Sequence, residues 1–510
     1  MYLVWLQAKR IQPYLLGSPK LRHMIGASEL VEQSCGELVK NACTQLGSGK
    51  LLHGAAGQAW VEFSERAEGE AFLRLWPALL DAFAPGLRVF GGGIDYDRSA
   101  SSEAKRDALD RLREQLRAAV NAPTTPAPEL SPLVERAPST GGGAVRVSKR
   151  GNDSRAPLLD LETSRKEDVF ASKAPDLRLG ADLTTPERFS WPRDFSDIAG
   201  DSEDLAVIHA DGNGLGGLLR QLNDESRGAD PLDTLIAFSK AVSKASLGAA
   251  RTAVEQVLYP AVGRRGDIPA RPLVLGGDDL TFVVRSDLSA PFVEAYLLAF
   301  EDQSRAAFEE VASGEGHFLT ACAGIALVRA NFPFLQAYEL AETTCGWVKD
   351  RARGVCADDD PVPSALAFHR STVSLVGSYE ELLETELRGA PDAGAEGLLL
   401  TRGPYSVGGR VRCSLPSTTD LASLGKALKR LPRGAVRGVL GELRTSRENA
   451  QQRWARALEV AGEGDADEAK LAFERVTNGK ALGNERRNPL LDAVTWDRMH
   501  PIPAEQEVAQ

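Results

Sequence analysis

Residues Gly276-Gly277-Asp278-Asp279 place two carboxylates side by side in a turn, an arrangement that folding alone does not ask for. Before them Leu273, Val274 and Leu275 make a short apolar strand, and after them Leu280 to Val284 make another, so the stretch reads as a hairpin with four residues between its strands. Two adjacent acids at a tight turn repel each other and cover no apolar surface. A divalent cation gives them a purpose. Mg²⁺ takes hard oxygen ligands, usually one or two carboxylates plus nucleotide phosphates, and the paired glycines leave room for a triphosphate to approach the backbone. Alone, the tetrapeptide is a Gly-Gly-Asp turn with a solvated extra Asp; a second element changes that reading.

The second element runs from Leu205 to Arg220: an apolar strand ends at Asp211, and the turn Gly212-Asn213-Gly214-Leu215-Gly216 opens a helix. Asp211 thereby sits at the C-terminal end of a strand, and Gly212, Gly214 and Gly216 let backbone amides face an anion. Gly212, Gly214 and Gly217 also satisfy the dinucleotide-binding spacing. The strand ending in an acid that should follow is missing, because Asp230 and Asp233 lead into a helix, so that reading is set aside. A strand-end Asp211 with a hairpin pair Asp278 and Asp279 is the carboxylate set of a two-metal nucleotidyl-transfer palm. In that role Asp211, Asp278 and the Gly212 carbonyl hold two Mg²⁺ or Mn²⁺ ions and Asp279 completes the shell. Gly276 and Gly277 then lie against the acceptor nucleotide, and Gly212, Asn213, Gly214 and Gly216 against the phosphates.

The strand-Asp-Gly-Asn-Gly-Leu-Gly turn, the long helix near 231 to 258 and the Gly-Gly-Asp-Asp hairpin resemble the second palm domain of the polymerase-like large subunit of type III CRISPR complexes. GGDEF-type diguanylate cyclases are a more distant likeness. Ala341 to Lys349 has the register of the cyclase helix that ends in a phosphate-binding Lys, which makes Lys349 a nucleotide contact rather than a solvated charge on a helix face. Ser239, on the long helix, is a further candidate contact, with a structural role as its alternative. The resemblance implies a Mg²⁺-dependent nucleotidyltransferase that joins ATP or other nucleoside triphosphates into a cyclic or linear oligonucleotide second messenger for antiviral defence. RNA and CRISPR effector subunits are the partners it implies. Two rivals remain: a subunit of an RNA-guided effector that also scaffolds a guide complex, and a nucleotide sensor that binds without turnover.

At 510 residues the chain has room for two to four domains, and its net charge of -11 argues against strong nonspecific affinity for a nucleic-acid backbone. The six cysteines form no C-x-x-C pair, which suits a reducing cytoplasm, and no apolar run reaches membrane-spanning length. The fold class expected is α/β (α+β), with two ferredoxin-like palms and a C-terminal helical domain. Residues 1–121 read as a first palm, with strands at Tyr2 to Leu6, Gly57 to Phe63 and Leu87 to Phe90. Ile11-Gln12 with Tyr14 and Ser18, and the stretch from His53 to Gly57, resemble the first palm of the same family. No paired acids stand at its turns, so it is expected not to catalyse. Residues 122–200 are rich in Pro, Ser, Thr and Gly and read as linker and irregular structure, where the resemblance implies the place of a zinc-binding cysteine cluster that the family often carries and this segment, without cysteines, lacks. Residues 201–390 are the second palm and 391–510 the helical domain. None of the six histidines is followed by Asp, so an HD nuclease is not expected.

Overall fold

Tyr2, Val4 and Leu6 alternate along the first strand with Leu3 and Trp5, and each set packs into a different core. The computed structural model describes residues 1–121, 130–148, 156–225, 229–311, 316–357, 360–371, 377–390, 397–408, 410–482 and 484–500. Its first unit runs β1 (Tyr2–Lys9), α1 (Ile11–Leu16), α2 (Leu21–Cys35), α3 (Glu37–Gln45), β2 (Lys50–Ala55), β3 (Gln58–Phe63), α4 (Arg66–Phe83), β4 (Arg88–Asp95) and α5 (Ser102–Asn121). The sheet order β2-β3-β1-β4, with β1 antiparallel to both neighbours, is that of a ferredoxin-like fold. Strand β2 is absent from the sequence reading. It is an edge strand with no buried residue, so it carries no alternation to find.

The stretch read as linker is instead largely structured. After β5 (Ala144–Val147) and β6 (Leu158–Asp160) come α6 (Leu161–Ala171), α7 (Ala174–Asp182) and α8 (Phe195–Ala199). Helix α6 lies hard against α2, so close that a Cβ on Gly26 would fall 2.1 Å from the Lys166 carbonyl oxygen. Lys166 and Glu167 are buried at this junction. Lys166 donates to the Tyr14 carbonyl and to Glu162, and Ser148 donates to Glu167. A core made of paired charges has no hydrophobic period, which is why composition suggested irregular chain. The portions of that reading at 122–129 and 149–155 lie outside the described residues, as do 391–396 and 501–510 of the helical domain.

The second unit runs β7 (Asp204–Gly212), α9 (Leu215–Glu225), α10 (Pro231–Ala253), β8 (Ala270–Gly276), β9 (Asp279–Arg285), α11 (Ser289–Glu309), β10 (Ala321–Arg329), α12 (Phe334–Arg353) and β11 (Ala365–Arg370). A π-helical turn, Val254–Leu258, continues α10. The sheet order β12-β11-β10-β7-β9-β8 contains the ferredoxin-like order around central β7, with β11 added in parallel to β10 and the two-residue strand β12 (Tyr405–Ser406) at the edge. Helices α10 and α11 pack together, while α12 packs on β10 and β7. The mixed α/β class with two palm-like sheets is as expected.

The described remainder is mostly helical: α13 (Tyr379–Glu384), α14 (Thr418–Arg430), α15 (Arg433–Glu442), α16 (Arg447–Val460), α17 (Glu463–Val476) and α18 (Leu490–Arg498). Buried Asp492 of α18 accepts from the Thr401 and Tyr405 hydroxyls and the Arg402 amide, which ties this helical part to the edge of the second sheet. The two sheet units are joined through a shared core, in which Leu3 and Trp60 of the first meet Leu232 and Ile236 of α10. Beside it Tyr96 and Lys105 bind Asp230, the N-cap of α10.

Candidate active site

Strand β7 is an almost wholly buried run from Leu205 to Ala210, which fixes its register and delivers Asp211 to its end. The β8–β9 hairpin lies alongside. Gly276 pairs with Asp279, so the loop is two residues, Gly277-Asp278, rather than the four read from sequence. Gly277 has φ 63°, the left-handed value that the first position of a tight hairpin loop needs. Asp278 thus occupies the loop and Asp279 opens β9.

One oxygen from each of Asp211, Asp278 and Asp279 lies within 4.8 Å of the others. The geometry depends on Gly212, where a Cβ would stand 3.0 Å from the Cβ of Asp278 and 2.8 Å from Cδ1 of Leu215. Desolvation, with the charge of Asp211 added, pushes the Asp278 carboxyl up to about 6. Asp279 keeps part of its surface in solvent at the cleft edge; desolvation on its inner side, then the charges of Asp278 and Asp211, push its carboxyl up to about 7. Three acids held together against their own repulsion are a site that favours bound positive charge. The donor set is all carboxylate oxygen, which fits Mg²⁺ or Mn²⁺.

Lys349 projects from α12, and its Nζ donates to Asp211 Oδ2. Its neighbour in this structure is therefore an acid of the cluster. His209, two residues before Asp211 and so on the same side of β7, bonds through Nδ1 to Thr281 Oγ1 at 3.2 Å and stacks edge-on against Tyr338. Burial pushes its imidazole down to about 4, so it is neutral. His209 and Tyr338 were missed in the sequence, although the period of two from Asp211 pointed to His209.

Gly214 and Gly216 are exposed at the start of α9, with nothing within 4 Å of where a Cβ would be. Asn213 is placed differently from the expectation of a nucleotide contact. It is buried, and its Nδ2 donates to Thr320 Oγ1 at 3.0 Å and to Cys322 Sγ at 3.4 Å, so it fastens the turn to the start of β10. Gly276 and Gly277 face the β2–β3 turn of the first unit. A Cβ on Gly277 would lie 3.2 Å from Cβ of Ala56, and one on Gly276 3.6 Å from Cα of Ala56. The β2–β3 turn of the first unit thus packs beside the hairpin turn, while both glycines still border open space between the two units.

A cleft of about 500 Å³ opens beside this contact, between the two sheet units. Asp278, Asp279 and Ser239 border it from the second unit, and His53, Gln58 and Glu32 from the first. Gln12 of α1 reaches across to Glu342 of α12 at 2.6 Å. The first unit is therefore part of the site's wall.

No protein-family model matches the chain, and no curated protein does. Among solved structures it is similar to Csm1–Csm4 cassettes: one in complex with cA4 and one with pppApA, each 13% identical with TM-score 0.50, covering 98% of this chain and 69% of that one. A third, in complex with AMPPNP, has TM-score 0.43 at 13% identity; the match covers 71% of this chain and only 55% of that one. The likeness at TM-score 0.50 shows a shared fold. Among the described residues no helix is long and apolar enough to cross a membrane.

Proposed function

We propose that this chain is a nucleotidyltransferase, dependent on Mg²⁺ or Mn²⁺, that joins nucleoside triphosphates, ATP foremost, into a cyclic or linear oligonucleotide second messenger in antiviral defence. The convergence of Asp211, Asp278 and Asp279 beside a nucleotide-sized cleft carries the reading. The fold shared with Csm1–Csm4 cassettes solved with cA4 and pppApA supports it.

Asp211 and Asp278, with Asp279 beside them, would hold the cations. Such ions, when bound, lower the pKa of an attacking ribose hydroxyl and neutralise charge on departing pyrophosphate. The chain's own groups do the positioning. Gly212 keeps Asp278 beside Asp211, and Asn213 anchors the turn. The Gly214 to Gly216 segment offers the open amides of a helix start to the phosphates. Lys349, paired with Asp211 when the acids stand alone, is released toward the phosphates once Asp211 is otherwise neutralised. The first unit closes the cleft and supplies no acids to the cluster.

The assembly of Csm1 with Csm4 in the similar structures favours a second, compatible reading, in which this cytoplasmic chain is the large subunit of a type III effector and binds RNA through its partners. Mass spectrometry of products after incubation with all four triphosphates and Mg²⁺ or Mn²⁺ tests the main reading. An oligonucleotide product supports it, and intact triphosphates under all conditions oppose it.

A further inference from the structure

Away from the acids, the inter-unit cleft is walled by α2 of the first unit, by α7 and by α10 of the second, and much of that wall is apolar: Ile25, Val31, Leu179, Phe238 and Val242. One charged group of that wall has no ion-pair partner among the described residues. Glu32, on α2, is half-buried, and among the described residues no hydrogen bond or ion pair holds its carboxyl. The adjacent cation is already committed, since Arg178 bonds Glu29 at 2.7 Å and Asp182 at 3.1 Å. Burial raises the Glu32 carboxyl more than the charge of Arg178 lowers it. A half-buried acceptor left without a partner in the wall of a cavity calls for a ligand donor.

What that donor is follows from the acids that line the same cleft. If phosphates lie at Asp278 and Asp279, which rests on the nucleotidyltransferase reading, the apolar end receives the other end of the nucleotide. A flat ring suits apolar walls, and a carboxylate among them that no cation of the protein occupies selects by hydrogen bonding. We propose that Glu32 reads the nucleobase, accepting a hydrogen bond from the exocyclic amine of adenine, so that the cleft distinguishes ATP from the same nucleotide without that amine. Sites built around a buried polar group reject analogues that leave it unpaired, which gives one residue control over base choice.

Equilibrium binding to the full chain tests this, with Ca²⁺ present to hold the phosphates without turnover and ATP, purine riboside triphosphate and 2′-deoxy-ATP as probes. The wild type should bind ATP about 10- to 100-fold more tightly than purine riboside triphosphate. Glu32→Ala should lower ATP affinity to that of the amine-free analogue and leave the analogue's own affinity unchanged. Glu32→Gln, which keeps an acceptor carbonyl, should restore most of the preference. Glu32→Met fills the same volume without an acceptor and should behave as Glu32→Ala, so a folding defect in the alanine variant does not decide the matter. A preference that survives in Glu32→Ala and Glu32→Met overturns the inference. So does a loss shared equally by ATP and the analogue, or a new indifference to the 2′-hydroxyl, which would place Glu32 on the ribose. Binding that depends on Glu32 without any pyrophosphate release under Mg²⁺ would keep base reading and remove the transferase. Product formation with a preference indifferent to Glu32 would do the reverse.

Discussion

Replacing Gly212 with alanine puts a Cβ 2.8 Å from Cδ1 of Leu215 and 3.0 Å from Cβ of Asp278. The two obstacles respond differently. Leu215 is only partly buried at the start of α9, and its side chain can swing away. Cβ of Asp278 hangs from a two-residue loop and moves only if the backbone moves. An ordinary carbon contact is about 3.5–4.0 Å, so Asp278 must retreat by roughly 0.5–1 Å. Overpacking of this kind costs about 1–3 kcal/mol in a core, and an edge loop belongs at the low end, near 1 kcal/mol. Melting should therefore fall by only about 2–4 °C. The cation site is less tolerant, because Mg²⁺ demands near-ideal geometry at about 2.0–2.1 Å, and a 1 Å misplacement can cost roughly 100-fold in rate. Gly212→Ala should lower pyrophosphate release about 100-fold with little loss of stability. Gly216→Ala, in the first turn of the same helix with open space around it, should melt no lower than the wild type. The assay is pyrophosphate release beside a thermal melt for each variant. A wild-type rate in Gly212→Ala would refute the claim that close approach of the two turns builds the site.

Lys349→Ala should weaken ATP binding about 10- to 100-fold by calorimetry while shifting the melting temperature little, because its bond to Asp211 is half-exposed. Cation affinity should rise with pH. With Asp279 near 7 and Asp278 near 6, about one proton leaves per cation bound near pH 6.5, so affinity climbs about tenfold per pH unit there and levels off above about pH 8. In cation-free buffer the sign for stability is opposite. These carboxyls are raised in the folded state, so folding holds protons that the unfolded chain has released. Stability is fullest below the ordinary carboxylate range and falls as pH rises from about 4 to 7; Asp278→Asn with Asp279→Asn should flatten that slope in melts. A fragment spanning 200–510 loses the Leu3 and Trp60 cover on Leu232 and Ile236 and the Ala56 cap on the hairpin. It should be poorly soluble or release no pyrophosphate, and full activity would show that the first unit is dispensable.

Elements with one clear period were legible. The bounds of α12 follow the apolar stripe from Phe334 to Arg353, and β7 is a buried run that ends in an acid where the sheet ends. The acids themselves could be named because adjacent carboxylates in a glycine turn have no folding rationale. What stayed hidden depends on pairing across distance. Helix α6 buries Lys166 and Glu167 by bonding them to Tyr14, Glu162 and Ser148, and no local pattern announces a satisfied charge. The cleft is assembled from Glu32 and His53 on one unit and Ser239 on the other, so neither stretch alone suggests a wall. The placement of the Asn213 side chain was hidden for a related reason. A polar residue in a glycine turn can face a ligand or fasten the turn, and the presence of Thr320, just before the neighbouring strand, is not visible from the turn itself.

The central claim is that Asp278 and Asp279, with Asp211, form a cation site for nucleotidyl transfer. Pyrophosphate release from ATP and Mg²⁺ by the wild type and by the Asp278→Asn, Asp279→Asn double variant, with thermal melts in parallel, tests it most directly. The wild type should release pyrophosphate. The double variant should lose several orders of magnitude in rate, while its cation-free melting temperature at neutral pH stays equal or rises, since the repulsion among the acids is gone. Equal rates in the two proteins, with both folded, would contradict the account.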